Sequence, residues 1–124
     1  MTVNDICAVV AASDYDRALA WYTRILGRGP DLEPIDGVAE WQLTATAWLQ
    51  LIEDADRAGR SAVRFGVDDL AAQIASLNEL GVPTGEPVVI ADMVRVLDIA
   101  DSEGNEVSYV EDITPTGTAN AAEG

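Results

Sequence analysis

The chain has 124 residues and 48% of them are hydrophobic, a length and composition typical of one domain that buries a sizeable core. Its 22 acidic residues stand against seven arginines, no lysine and no histidine, so the net charge is −15. This balance argues against nucleic acid and membrane partners, because phosphate groups are bound by clustered cations. The lack of histidine also removes the commonest metal ligand and the commonest general base near neutral pH.

The cysteine content and the hydropathy of the chain indicate the cellular compartment that we expect for it. Cys7 is the single cysteine, which excludes an internal disulfide and a zinc site built from cysteines. We expect Cys7 to pack as a small buried residue, which is common for a free cysteine. No apolar run reaches the roughly 18 residues of a membrane span, and no basic segment precedes an apolar one at the start. We therefore expect a soluble, cytoplasmic protein.

The first predicted elements are a strand and a helix. Residues 3–12 favour a strand, although their apolar run alone also fits a helix. Ser13 is the predicted N-cap, since its hydroxyl can accept a hydrogen bond from an N–H of the first turn. Apolar residues then recur at helical spacing as far as Leu26, and Gly27 is the expected residue after the helix end.

Two strands are predicted next, over residues 39–45 and 48–53. On the second of them, Trp48 and Gln50 share one face because side chains alternate along a strand. The pattern does not determine which face of the first of these strands carries Trp41.

The second half of the chain predicts the same order of elements. Residues 62–67 form a strand, and Asp68 or Asp69 caps a helix that ends at Gly81. Two or three strands follow within residues 86–111. The remaining residues, 113–124, are poor in bulky side chains and are predicted to form a flexible tail.

The stretch Asp98–Asp112 predicts a strand, a tight turn and a strand. Apolar and polar residues alternate on both sides of the sequence Ser-Glu-Gly-Asn, in which Gly104 can adopt a positive φ without steric cost. A hairpin of this length is marginal in water, so it must belong to a larger sheet.

The segment Asp101–Ser108, DSEGNEVS, resembles the D-P-D-G-N-x-x-E hairpin that closes proteins of the vicinal oxygen chelate superfamily, which includes glyoxalases, bleomycin resistance proteins and extradiol dioxygenases. The halves also repeat: Asp14 precedes Asp68 by the same interval that separates Gly27 from Gly81. The resemblance implies an α+β fold of two tandem βαβββ modules, about residues 3–54 and 60–112, in one domain. Their curved mixed sheets would surround a cleft.

The resemblance also implies where a metal would bind. The four ligand positions of the metal-dependent members fall on Cys7, Gln50, Ala62 and Ser108, the last replacing the glutamate that ends the family hairpin. Alanine offers no donor atom, and a neutral hydroxyl and an amide are weak ligands beside imidazole and carboxylate. We therefore expect neither a metal nor another cofactor.

What remains of the implied cleft is a mostly apolar wall with a few polar groups, which is typical of small-molecule sites. For Trp48 the alternative is ordinary core packing, and for Arg64 it is an exposed or interface position. The predicted ligand-binding residues are Cys7, Trp41, Trp48, Gln50, Arg64, Glu106 and Ser108.

We interpret the chain as a metal-free, non-catalytic protein similar to the bleomycin resistance branch, which binds and sequesters a cationic or planar aromatic compound such as an antibiotic. An acidic protein attracts cations, and an aromatic residue in a cleft can stack on a planar ring. One alternative is an enzyme of the superfamily, a lyase, isomerase or dioxygenase-like protein, with non-standard site residues. Another is a structural dimer with an empty cleft. The resemblance implies a homodimer in each case.

Overall fold

The computed structural model describes residues 2–115, and within them it contains two helices and seven strands in two sheets. The described residues form two compact units. The first contains residues 2–63 and 100–106, and the second contains residues 64–99 and 107–115. Most of the predicted tail, residues 116–124, lies outside the described residues. The expected α+β fold, with mixed sheets on a repeated order of elements, is confirmed.

The first unit contains β1 (Ile6–Ala12), α1 (Tyr15–Leu26), β2 (Val38–Thr44) and β3 (Ala47–Glu53). Its sheet has the order β1-β3-β2, with β1 parallel and β2 antiparallel to the central strand. A parallel neighbour needs a crossover connection, and α1 lies in that connection between β1 and the β2–β3 hairpin.

The ends of α1 follow the predicted signals with one correction. The N-cap is Asp14, whose side chain accepts a hydrogen bond from the backbone N–H of Arg17 at 3.1 Å. Ser13, which we expected to be the cap, instead donates its hydroxyl to Glu103 at 2.7 Å. Gly27 ends the helix in the left-handed conformation with φ 77°, where a residue without Cβ is favoured.

One face of the first sheet forms the core of the first unit with α1. Alternate residues of the three strands on this face are fully buried, as is Tyr22 of the helix. Because the side-chain period of a strand is two, the neighbouring residues of each strand must point to the opposite face. The buried strand residues on the helix side are Val10, Ala12, Ala39, Trp41, Leu49 and Leu51.

The fourth strand expected in the first βαβββ module is reduced to a single bridge. Leu32 pairs antiparallel with Glu40 of β2, and the two residues exchange backbone hydrogen bonds of 3.1 and 2.8 Å. Pro30 and Pro34 flank this bridge and have no N–H to extend a ladder, which explains why the pairing stops.

Two side chains of the same segment reach the next residue of β2. The Asp31 carboxylate accepts a hydrogen bond from the backbone N–H of Gln42 at 2.6 Å. The Arg28 guanidinium donates to the backbone carbonyl of Gln42, also at 2.6 Å, and forms an ion pair with Asp31. The segment between α1 and β2 therefore satisfies backbone groups of β2 beyond the bridge.

The second sheet has the order β4-β7-β6-β5, with β5 at its edge and antiparallel to β6. The elements of this half of the chain are β4 (Ala62–Gly66), α2 (Leu70–Glu79), β5 (Val88–Ile90), β6 (Val94–Ala100) and β7 (Glu106–Asp112). Three strands therefore fill the segment for which the sequence predicted two or three.

The helix α2 begins and ends with the same types of residue as α1, an aspartate N-cap and a glycine after its C-terminal end. Of the two candidate caps, Asp69 takes the role, because its side chain accepts a hydrogen bond from the N–H of Ala72 at 3.0 Å. Leu70 and Leu77 are fully buried on one side of the helix. Gly81 follows the helix with φ 76°, in agreement with the prediction.

The turn between β6 and β7 is built around the carboxylate of Asp101. This residue is buried, with 7% of its surface exposed. Its oxygens accept hydrogen bonds from the Tyr22 hydroxyl at 2.6 Å and from the backbone N–H of Glu103 at 2.8 Å. They also accept from the backbone N–H and the side-chain amide of Asn105, each at 2.9 Å. A buried carboxylate is costly unless such donors surround it, and here every one comes from this turn or from α1.

Asn105 connects this turn to β1 and to the residue that precedes β4. Its amide nitrogen donates to the carbonyl of Ala11 at 2.8 Å, and its amide oxygen accepts from the N–H of Ser61 at 2.9 Å. The backbone of Glu103 lies so close to Gly59 that a Cβ there would be 2.9 Å from the Glu103 carbonyl oxygen. Gly59 also has φ 78°, so both space and conformation require glycine.

Glu103 closes the N-terminal end of α1 from outside the helix. Its carboxylate accepts hydrogen bonds from the backbone N–H groups of Ser13 and Asp14, both at 3.0 Å, and from the Ser13 hydroxyl. These donors lower the pKa of Glu103, the two backbone groups most strongly. No local sequence pattern predicts this contact, because its partners are about 90 residues apart along the chain.

Neither helix within residues 2–115 has the length and apolar content required to cross a bilayer.

Replacing the Asp101 carboxylate should destabilise the fold strongly. In Asp101→Ala, the Tyr22 hydroxyl and the backbone N–H groups of Glu103 and Asn105 lose the hydrogen bonds that they make with the carboxylate. A buried polar group left unsatisfied costs about 1–3 kcal/mol. We expect the free energy of unfolding, measured by guanidinium denaturation, to fall by roughly 3 kcal/mol. Asp56→Ala, in an exposed loop, is the control and should change it by less than about 0.5 kcal/mol. Equal stability of the two variants would contradict this role of Asp101.

The contribution of Glu103 should depend on pH. Since its pKa is lower in the folded chain than in the unfolded chain, its stabilisation is complete above the ordinary glutamate pKa of about 4.3 and is lost as the pH falls through the lowered value. Glu103→Gln should therefore lower the free energy of unfolding by about 1 kcal/mol at pH 7, and by clearly less near pH 3.

The matched control for this titration is Glu86→Gln, an exposed glutamate in the segment before β5. It removes the same charge and should give a difference from the wild type that is small at both pH values. A Glu103→Gln difference that stays constant between pH 7 and pH 3 would show that the carboxylate does not cap α1.

Candidate functional site

The face of the first sheet that α1 does not cover carries an apolar row, in which Ala11 and Val38 pair with Ile52, and two rows that include polar side chains. The register pairs Cys7 and Gln42 with Trp48, and it pairs Val9 and Glu40 with Gln50. Side chains of paired residues lie on the same face of a sheet, close enough to touch. We name the surface of these two rows the open face, and its residues are Cys7, Val9, Glu40, Gln42, Trp48 and Gln50.

The open face is a mixed surface that is only partly exposed. Val9 is 41% exposed, and Cys7 and Gln42 are exposed. Trp48, Gln50 and Glu40 are half-buried. An aromatic ring, an amide and a carboxylate that are partly removed from water form a small apolar surface with a few fixed polar groups, the usual composition of a ligand site.

Glu40 and Gln50 form the polar centre of the open face. The Gln50 amide nitrogen donates a hydrogen bond of 2.6 Å to Glu40 Oε2, and this contact is partly buried. It fixes the orientation of the amide, leaving its oxygen available as an acceptor. Sequence analysis did not select Glu40. Glu40 could have been found from its place between Ala39 and Trp41 on one strand. Because side chains alternate, Glu40 faces away from the core once Trp41 is known to be buried.

Cys7 is exposed in the described part of the chain, so the expectation that it packs as a buried residue is wrong. Its strand has one covered face, and Cys7 lies on the other, opposite Trp48. The pKa of the Cys7 thiol is raised, first by partial burial and then by the nearby Glu40 carboxylate. The thiol is therefore protonated at neutral pH, which makes it a poor nucleophile and a poor metal ligand.

Trp41, a predicted ligand-binding residue, lies on the opposite side of the sheet. It is fully buried, and its indole N–H donates to the Arg28 carbonyl at 3.0 Å. Its ring centre is 6.2 Å from that of Tyr22 in α1. A side chain without accessible surface cannot contact a ligand, so we assign Trp41 to the core of the first unit.

The other predicted residues lie on the second sheet. Arg64 is exposed on β4, and Glu106 is exposed at the start of β7. Ser108 is fully buried, and its hydroxyl donates a hydrogen bond of 2.5 Å to Asp98 of β6. The hydroxyl of Ser108 is thus hydrogen-bonded to a residue of the neighbouring strand in the same sheet.

The residues at the four metal-ligand positions implied by the resemblance are poor ligands for a divalent ion. Ala62 has no donor atom, and the thiol of Cys7 is protonated. The neutral hydroxyl of Ser108 donates a hydrogen bond to Asp98, and Gln50 could offer only its amide oxygen, since its amide nitrogen donates to Glu40. Among residues 2–115, no three histidine, cysteine, aspartate or glutamate side chains form a group that could hold a metal ion. This donor set does not suit the divalent ion of the metal-dependent members.

Comparison with known proteins supports the resemblance. No protein-family model matches the chain, and no curated protein matches it significantly. Among solved structures, it is similar to a glyoxalase/bleomycin resistance protein from Catenulispora acidiphila DSM 44928, with 33% identity and a TM-score of 0.79. That match covers 86% of this chain and 96% of the other.

Two more distant structures share the fold. An antibiotic-binding protein, TnmS3 from Streptomyces sp. CB03234, has 21% identity and a TM-score of 0.74, covering 90% of this chain and 96% of the other. Lactoylglutathione lyase from Agrobacterium tumefaciens has 19% identity and a TM-score of 0.70, covering 86% and 91%. The sequence motifs, the fold and the 33% identical relative agree. The chain therefore belongs to the glyoxalase/bleomycin resistance protein family, within the vicinal oxygen chelate superfamily.

Proposed function

We propose that this chain is a metal-free small-molecule-binding protein that sequesters a cationic or planar aromatic compound, such as an antibiotic. The observation that carries the proposal is the open face, where the half-buried Trp48 stands beside the Glu40–Gln50 pair. A planar ring can stack on the indole while its positive charge lies near the carboxylate.

The energetics of the open face favour such a ligand. Stacking on Trp48 would contribute about 0.5–1.5 kcal/mol beyond the burial of apolar area. A cation near Glu40 interacts with a carboxylate that is already partly removed from water, where the attraction is screened less than at an exposed site. The net charge of −15 also raises the rate at which a cation meets the protein.

Sequestration also fits the chemistry of the remaining residues, because it requires no catalytic group. The four positions at which related metalloenzymes hold their ion carry a poor donor set here. The solved structures similar to this chain include an antibiotic-binding protein and a glyoxalase/bleomycin resistance protein, which supports small-molecule binding as the general class. In the second unit, we propose the exposed Arg64 as a further polar group available to a ligand.

Ethidium, a planar aromatic cation, is a suitable probe of the open face. The chain has three tryptophans, whose indole N–H signals in a ¹⁵N–¹H spectrum report three separate places. We expect ethidium to shift the Trp48 signal saturably while leaving that of the buried Trp41 unchanged. Trp48→Ala should weaken binding about tenfold, which corresponds to about 1.4 kcal/mol. Glu40→Gln should weaken it about fivefold at low salt and less at high salt.

The control for this titration is Trp21→Phe, which removes an indole outside the open face and should change the affinity less than about twofold. An unchanged affinity in Trp48→Ala would locate binding elsewhere. The absence of any saturable shift would contradict a cationic aromatic ligand.

We further propose that the protein is a homodimer, in which the exposed edge of the second sheet is covered by a second copy. Strand β5 is at that edge, and its residues Val88, Val89 and Ile90 are 59, 47 and 52% exposed. An unpaired apolar edge strand is a liability that proteins usually cover.

Native mass spectrometry of the purified protein, without added metal, tests this assembly. We expect the mass of two chains, and Val89→Glu should convert most of it to the mass of one, since a charge at an edge opposes pairing. Ala71→Glu, on the exposed side of α2, is the control and should remain dimeric. A wild-type protein that is monomeric at micromolar concentration would refute the proposal.

A further inference from the structure

We propose that a second site, a groove beside α1 in the first unit, binds a small aromatic carboxylate. The groove has a volume of about 350 Å³ and is lined by Arg17, Ala20, Trp21, Arg24 and Ser102. It shares no residue with the open face. Its chemistry is also the opposite of that surface, since two cations flank an aromatic ring.

The lining residues of α1 lie on one side of the helix because of their spacing. Positions three, four and seven apart fall on the same helical face, so Arg17 and Arg24 stand one turn before and one turn after Trp21. Both arginines are exposed, whereas Ala18 and Tyr22 on the other side are buried. Two of the seven arginines of a chain with net charge −15 therefore line one groove together with Trp21.

A guanidinium group recognises a carboxylate through two parallel hydrogen bonds, which gives both strength and a defined orientation. A ligand with a carboxylate on a planar ring can stack on Trp21 and place its anionic end against Arg17 or Arg24. A volume of about 350 Å³ is at the lower end of ligand pockets, which suits one or two fused rings.

Ser102 supplies a hydrogen-bond donor beside the groove that has no partner within the described residues. Its Oγ is buried. A buried hydroxyl without a partner costs free energy, and most such groups in folded proteins are satisfied. Because Ser102 lines the groove, a change of its χ1 rotamer can bring the hydroxyl to the groove surface, where a carboxylate oxygen accepts its hydrogen bond.

The walls of the groove are held in place by contacts described above. The Trp21 ring packs edge-on against Tyr22, with ring centres 4.9 Å apart. The Tyr22 hydroxyl in turn donates to Asp101, the residue before Ser102, at 2.6 Å. Helix and turn are thus fixed to each other at the groove, so a ligand need not order them, and preformed sites lose less affinity on binding.

The test uses 1-naphthoate as the probe and 1-naphthamide as its uncharged counterpart. In the ¹⁵N–¹H spectrum, we expect 1-naphthoate to shift the indole signal of Trp21 saturably and to leave those of Trp48 and Trp41 in place. Arg17→Gln and Arg24→Gln should each weaken binding about fivefold. Arg60→Gln removes the same charge from an exposed loop and should change the affinity less than about twofold.

Ser102→Ala separates binding from folding. It removes a hydroxyl that has no partner in the described protein, so the midpoint of thermal unfolding should stay the same or rise. Affinity for 1-naphthoate should nevertheless fall about threefold. A purely structural role for Ser102 predicts a lower midpoint of unfolding and an unchanged affinity.

Three results would overturn the inference: no saturable shift of Trp21 at millimolar 1-naphthoate, equal affinity for 1-naphthamide, or a shift confined to Trp48. The ethidium titration of Trp48 is measured on the same protein with a ligand of opposite charge. Failure at Trp21 with success at Trp48 therefore rejects the groove alone, and the reverse rejects only the proposed function.

Discussion

The buried carboxylate of Asp101 is the constraint on which the first unit depends. Its charge is tolerable only because the Tyr22 hydroxyl and three groups of its own turn donate to it. These donors join the turn between β6 and β7 to the middle of α1, while Glu103 holds the start of the same helix. Asn105 connects the same turn to the end of β1 and to Ser61, the residue before β4. One short turn thus sets the position of α1, and with it the face of the sheet that the helix covers.

The open face follows from that coverage. Once α1 covers the side of the sheet that carries Trp41, the alternation of strands leaves Trp48, Gln50 and Glu40 on the other side. At the two ligand positions of the metal-dependent members that fall on this sheet, the chain carries Cys7 and Gln50, which are weak ligands for a divalent ion. On the second sheet, the hydroxyl of Ser108 is likewise not placed as a metal ligand, since it donates a hydrogen bond to Asp98 of the neighbouring strand.

Short sequence patterns predicted much of this fold, whereas features that depend on contacts between distant residues could not be predicted from the sequence. Gly27 and Gly81 end their helices as expected, because a helix end is decided by a few neighbouring residues. The exposure of Cys7 and the position of Glu40 depend on which face of the three-stranded sheet the helix covers. That face is determined by how the strands pair, which no single segment of the sequence reveals. Ser13 failed as a cap because a distant carboxylate, that of Glu103, takes its hydroxyl.

The segment that bridges Leu32 to Glu40 has a consequence for how the protein avoids aggregation. An outer strand normally offers a row of unpaired amides on which another chain can add. Along β2, the backbone groups of Glu40 are occupied by the bridge, and those of Gln42 by Asp31 and Arg28. The flanking prolines lack the N–H needed to continue a ladder. This edge is therefore sealed against strand addition by its own chain, so that intermolecular β-pairing at high concentration has to begin at some other surface.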